Sequence, residues 1–393
     1  MDFTIVFYIS LAILLLILLV KVSRRPASDE GSFFDRVLCK EFQGFLAVFI
    51  IFHQTVITFE HFQADIPSEE ILPFFNYYYY GILAVAFFFF SSGFGLLKRR
   101  MTDESYMKGF MRRRIFTVLV PFFICNYIYL TDALINNIMS GGHFHSAEVI
   151  CSFFGVFLIN NQMWFAVEIM ILYLLFRIVF AKIKKPVYGI LIMTGTVLVM
   201  VVIGLLAGHS DYAIMSYWFK GEWWYNTILM FPLGMLYAYK EERLNKIFKA
   251  AFLPLLIASS ILFVIFDYIH RGLIGRSIYW TETFDSPNPL LDKLLGLSVE
   301  TVFEIIFLIL VLTVMSRVKF GNPVLKFFGK ISLEMIMLNY LFCSKLFFLY
   351  TRYGIYVYVA AVFAGTVLSA AAVYFIKNIV LERRTRLFDG KVN

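Results

Sequence analysis

The feature that most constrains this chain is a succession of long apolar stretches, each bounded by charge. They fall at 3–20, 44–60, 76–97, 115–135, 163–181, 187–206, 223–239, 250–267, 295–315, 327–350 and 355–376. Each approaches or exceeds the length of helix that crosses a bilayer, about 20 residues. Inside a bilayer the backbone must satisfy its own hydrogen bonds, and single apolar runs do this as helices. Composition closes off the alternatives. Hydrophobic residues make up 60% of the chain and charged ones only 16%, against about 25% charged in soluble domains. That leaves too little polar material to cover the surfaces of soluble domains. Soluble, disordered, collagenous and disulfide-scaffold classes are excluded. The fold class expected is all-α: a polytopic integral membrane protein of about 10–11 transmembrane helices with no soluble domain. The stretch 147–159 is apolar but short, so it reads as re-entrant or interfacial.

Charge orients the spans. With the N-terminus outside, 28 of the 35 lysines and arginines fall in inside segments and five in outside loops. This is the positive-inside pattern, and it accounts for the net charge of +8 without nucleic acid. The expected localisation is a multi-pass cell-membrane protein with its C-terminus in the cytoplasm. The first apolar stretch has almost no preceding positive charge and is followed by Lys21 and Arg24–Arg25, the reverse of a cleaved signal peptide. Cys39, Cys125, Cys151 and Cys343 are scattered and form no C-x-x-C pair.

Polar residues inside spans are candidates for chemistry, because burying them is costly. Of six histidines only His53 lies well inside a span; His61, His143, His145, His209 and His270 fall in loops or at ends. His53 is about 14 Å along a helix from Gly44, near mid-membrane. It would serve either as a neutral general base or as a hydrogen-bonded bridge between helices. Glu168 follows Trp164 by one turn on the same face. It would orient a base, bind a hydroxyl-rich substrate, or sit as an interfacial carboxylate. Glu300, Glu304 and Glu334 also lie within spans. The loop 98–114 gathers Lys98, Arg99, Arg100, Lys108, Arg112, Arg113 and Arg114. Such a cluster suits a phosphate-rich ligand or sets topology beside anionic lipid. Three motifs fail. Asp267-Tyr-Ile-His270 has no nucleophile block, Gly93-Phe-Gly95 follows no strand, and His143-Phe-His145 lacks further ligands, so no metal site is expected.

The order of several segments resembles the acyltransferase 3 family. Gly44 to His53 is similar to that family's first core helix, which ends on a catalytic histidine. Phe87 to Phe94 resembles its aromatic segment ending in Ser-Gly-Phe, and Phe110-Met-Arg-Arg-Arg114 leads to Pro121 as its basic stretch does. Met163 to Glu168 looks like its Trp-aromatic-x-x-x-Glu block; Phe231-Pro-Leu-Gly234 and Phe328 to Glu334 resemble later landmarks. Three positions depart from the pattern: Phe42 stands where a base is usual, Thr117 where a second arginine is, and Asn339 where a histidine is common. The resemblance implies an extra N-terminal helix and linker over 1–39, a membrane domain over 40–376 and a cytoplasmic tail over 377–393. It implies an O-acyltransferase moving an acyl group, expected to be acetyl, from cytoplasmic acyl-CoA. The acceptor would be a hydroxyl of an envelope polysaccharide or its lipid-linked precursor. No tightly bound cofactor is expected; acetyl-CoA is the donor substrate, and the lipid bilayer is a partner. His53 and Glu168 are the expected catalytic residues, and Lys40, Arg112, Arg113 and Arg114 the expected donor-binding ones. The competing function is a glycan-lipid flippase or polymerase. It would want cations on the outside, where this chain has few.

Overall fold

The computed structural model describes residues 3–25, 32–34, 38–61, 76–140, 146–207, 219, 221–276, 278–280 and 286–389. They form a polytopic α-helical membrane bundle. In chain order the helices are α1 (Phe3–Leu19), α2 (Leu38–His61), α3 (Gly81–Thr102), α4 (Phe110–Arg114), α5 (Val120–Ser140), α6 (Ser146–Phe153) and α7 (Trp164–Lys182). They continue as α8 (Pro186–Ala207), α9 (Trp223–Asn226), α10 (Met230–Tyr239), α11 (Glu241–Ala250) and α12 (Phe252–Ile274). The last four are α13 (Pro289–Arg317), α14 (Pro323–Lys345), α15 (Phe347–Tyr353) and α16 (Ile355–Asp389). The only strands among the described residues are Ser23–Arg24 and Val318–Lys319, which pair antiparallel.

Among the described residues seven helices are long and apolar enough to cross a membrane, eight if α14 and α15, bent by 51°, count as one span. Three expected spans depart from that standard: 3–20 gives only a shorter apolar helix, Tyr8–Leu19, among the described residues, and the other two depart for physical reasons. The stretch 223–239 is broken into α9 and α10. Helix α2 is continuous but carries Lys40, Glu41, Gln43, His53 and Gln54. It tolerates them because it lies in the middle of the bundle, buried along most of its length between neighbouring helices rather than against lipid. Helix α12 is the opposite case: only Ser259 and His270 are buried, and its apolar residues face outward.

Two helix crossings organise the centre, and both are made by glycine. A Cβ on Gly44 would lie 1.9 Å from the Leu325 carbonyl oxygen, and one on Gly329 equally close to that of Lys40. Backbones of α2 and α14 therefore touch directly. Helices α3 and α10 repeat the device: a Cβ on Gly93 would meet the Phe231 oxygen at 2.0 Å, and one on Gly234 that of Phe90. Small residues at crossings are the usual basis of helix association in membranes.

Helix α2 runs antiparallel to α3, and two contacts set their register. Gln43 Nε2 donates to Ser91 Oγ at 2.9 Å, while the His53 ring lies against Gly81, where a Cβ would meet it at 2.4 Å. Ten residues separate the two contacts on each helix, about 15 Å of rise.

Candidate active site

The bundle has a basic end, where the loop between α3 and α5 lies. Chemistry starts there because a cavity of about 980 Å³ opens between α2, α3, α7, α14 and that loop. Ligand sites typically occupy about 300–1,000 Å³. All four residues expected to bind the donor line it: Lys40, Arg112, Arg113 and Arg114. Lys98, Arg99 and Lys108 join them.

The local sequence explains how the arginines are held. Gly109 adopts φ +65°, which turns the chain into α4. Residues 115–119 then form a π-turn directly ahead of Pro121, a residue that lacks the N–H an α-helical ladder needs. Arg114 stacks on Tyr173 at 4.8 Å and on Phe110 at 5.4 Å, and donates to Tyr106 Oη at 2.6 Å. Arg113 donates to the backbone oxygens of Lys108, at 2.9 Å, and Tyr106. Thr117 sits on the same wall, and its hydroxyl donates to the Arg113 carbonyl at 2.9 Å. Lys40 donates to the Gly329 carbonyl at 2.8 Å, and Lys98 pairs with Glu241 at 2.5 Å. Glu241 also accepts from Ser32, so the segment before α2 is latched to the same wall. Asp103, also lining the cavity, is held below the usual carboxylate range by hydrogen bonds from Ser105, with Arg99 and Arg113 adding to the effect. The inner part is less charged, with Gln43, Ser91, Ser92, Phe88, Phe165 and Ile169. Nothing in the sequence marks Tyr106, Tyr173 or Gln43, whereas Ser91 and Ser92 belong to the Phe87–Phe94 segment, which by itself assigns them no role.

The two expected catalytic residues do not line this cavity. His53 lies beyond it, at the Gly81 level of α3 rather than midway along that helix. Its ring stands 5.9 Å from that of Tyr78, beside the backbone of Tyr77 and Tyr78. Nδ1 is buried and has no partner among the described residues. Glu168 is fully buried on α7, and neither carboxylate oxygen has a partner among the described residues. Its neighbours Phe165 and Ile169 face the cavity. Lys377 and Glu334 pair at 2.5 Å between α16 and α14.

A second polar cluster lies near the end away from the basic loop. His270 Nε2 lies 3.2 Å from Glu300 Oε1, and the other Glu300 oxygen accepts from Tyr279 and, at 3.3 Å, from Asn226. Asp267 is turned to Arg271 instead, at 3.0 Å. The Asp267–His270 spacing is therefore not a working pair. No cluster of metal ligands occurs among the described residues.

A membrane-spanning helical bundle enclosing a basic cavity is the class these observations define. The family model described as an acyltransferase domain, that of the acyltransferase 3 family, matches residues 42–375. The chain belongs to this family and is an acyltransferase. No curated protein and no solved structure matches it.

Proposed function

We propose that the protein is an O-acyltransferase of the cell envelope that takes an acyl group, expected to be acetyl, from cytoplasmic acyl-CoA. The acceptor is a hydroxyl of a surface polysaccharide or its lipid-linked precursor. One observation carries this reading: a single large cavity collects Lys40, Arg112, Arg113 and Arg114. Coenzyme A is polyanionic at one end and carries its thioester on a long arm at the other. The cavity matches that division, cationic at its mouth and weakly polar inside. The basic end faces the cytoplasm in this reading, in line with the charge asymmetry.

The acceptor approaches from the opposite end, where His53 lies. Its hydroxyl gives its proton to Nδ1 of His53 as the oxygen attacks the thioester carbonyl. The C–O bond forms, the C–S bond breaks, and the departing thiolate takes up the proton. The donor arm spans the roughly 15 Å between the Gln43 and His53 levels. Glu168 orients the acceptor or the base. Positioning contributes as much as proton transfer.

The test is donor binding and turnover with acetyl-CoA and an acceptor glycan. Replacing Arg112, Arg113 and Arg114 together with Gln should raise KM for acetyl-CoA about tenfold or more, and the wild-type KM should itself rise with salt. Unchanged donor affinity in a correctly inserted triple variant overturns the assignment of the cavity.

A further inference from the structure

Gln43 holds one arrangement of its amide. Its Nε2 donates to Ser91 Oγ at 2.9 Å, and the Ser91 hydroxyl is itself spent on the Phe88 carbonyl at 3.1 Å. Ser91 therefore accepts from Gln43, and the amide must present nitrogen to α3 and oxygen elsewhere. That oxygen, Oε1, is buried and has no partner among the described residues. Leaving a buried acceptor unpaired is costly. An orphan of this kind in a helix interior would be a defect. Here it belongs to a residue that lines the cavity, at the level where the cationic wall gives way to Ser91, Ser92 and Phe88. With Nε2 turned to the scaffold, the group left unpaired on the side chain is the acceptor Oε1. That oxygen pairs with an N–H or O–H and not with a carbonyl or phosphate oxygen.

We infer that Gln43 is a specificity-determining residue for the acyl donor, its Oε1 accepting a hydrogen bond from an amide N–H of the donor's pantetheine arm. The inference rests on the donor reading above and adds to it the group that recognises the arm rather than the phosphates. The arm carries two amide N–H groups between the phosphates and the thioester. Gln43 stands between the basic mouth and His53, where the arm must pass. A phosphate-only contact would be served by the arginines and would leave Oε1 unpaired.

The experiment measures binding of acetyl-CoA and of two analogues to purified full-length protein. Each analogue has an ester oxygen in place of one pantetheine amide N–H. Wild type should lose about 5–10-fold in affinity for one analogue and little for the other. Gln43→Met, similar in size but a very weak acceptor, should lose a comparable factor for acetyl-CoA and bind that analogue no worse than acetyl-CoA. Equal wild-type affinity for acetyl-CoA and both analogues overturns the inference, and this arm needs no variant to fold. Wild-type affinity for acetyl-CoA with an unaffected Gln43→Met overturns it as well. Wild type with no affinity for acetyl-CoA overturns the donor reading and this inference with it, so the two failures are distinguishable.

Discussion

At the scale of single residues, the reaction turns on one nitrogen. Nδ1 of His53 is buried with no partner among the described residues, and in the proposed reaction it accepts the proton. A general base in such a position is typically worth about 10²–10⁴-fold in rate. His53→Gln keeps polarity and approximate size but accepts no proton at neutral pH. The expected outcome is a variant that inserts and purifies normally yet acylates at least about 10²-fold more slowly. His61→Gln is the control and should change little. Near-normal turnover by a well-folded His53→Gln would sink the mechanism. Asp103 gives a prediction of opposite sign. Its carboxylate stays charged at the wall of the cavity and opposes phosphates there. Asp103→Asn should lower KM for acetyl-CoA by about twofold, more at low salt than at high; a raised KM would show that its hydrogen bonds to Ser105 matter more than its charge.

At the scale of helices, several sequence landmarks of the family prove to be packing devices. Gly44 and Gly329 let α2 and α14 touch, and Gly93 and Gly234 do the same for α3 and α10. A methyl at Gly329 would meet backbone rather than the end of a flexible side chain, so the helices must separate. Gly329→Ala should cost about 1–3 kcal/mol and lower the Tm of the detergent-solubilised protein. Because Lys40 holds the Gly329 carbonyl, donor KM should move with stability. Gly195→Ala is the comparison, since nothing lies within 4 Å of its added methyl, and it should leave Tm nearly unchanged. These crossings were only partly legible. Each glycine stands in a motif that the sequence shows, but which glycine meets which helix does not follow from hydropathy. Hydropathy marks α2 as a span by its apolar residues, and its polar ones are explained by the protein that faces it on most sides.

At the scale of the whole molecule, the basic loop is proposed to face the cytoplasm and the loop before α13 the outside. Ser105 is exposed beside the cavity and Ser286 lies just ahead of α13. In a protein cleared of its four native cysteines, Ser286→Cys should react with a membrane-impermeant thiol reagent in intact cells. Ser105→Cys should react only after the membrane is opened. The reverse pattern would reverse the orientation and remove cytoplasmic acyl-CoA from the basic cavity.

The sequence by itself determined the class of this protein, because a bilayer demands long apolar helices and the chain has too few polar residues for any other solvent. It also marked His53, Glu168 and the arginines at 112–114, since charged or titratable groups in or beside apolar spans stand out one residue at a time. Only the tertiary structure decided which of them meet. It placed Lys40 and the arginines around one cavity and His53 some 15 Å of helix beyond it, and it broke 223–239 into two short helices. It also converted His270 from a helix-end residue into the partner of Glu300. The physical reason is that hydropathy reports the preference of each residue for its surroundings, whereas a site depends on the register between helices. That register is set by contacts such as Gly44 with α14 and Gln43 with Ser91, which join residues far apart in the chain and leave no periodic trace in it.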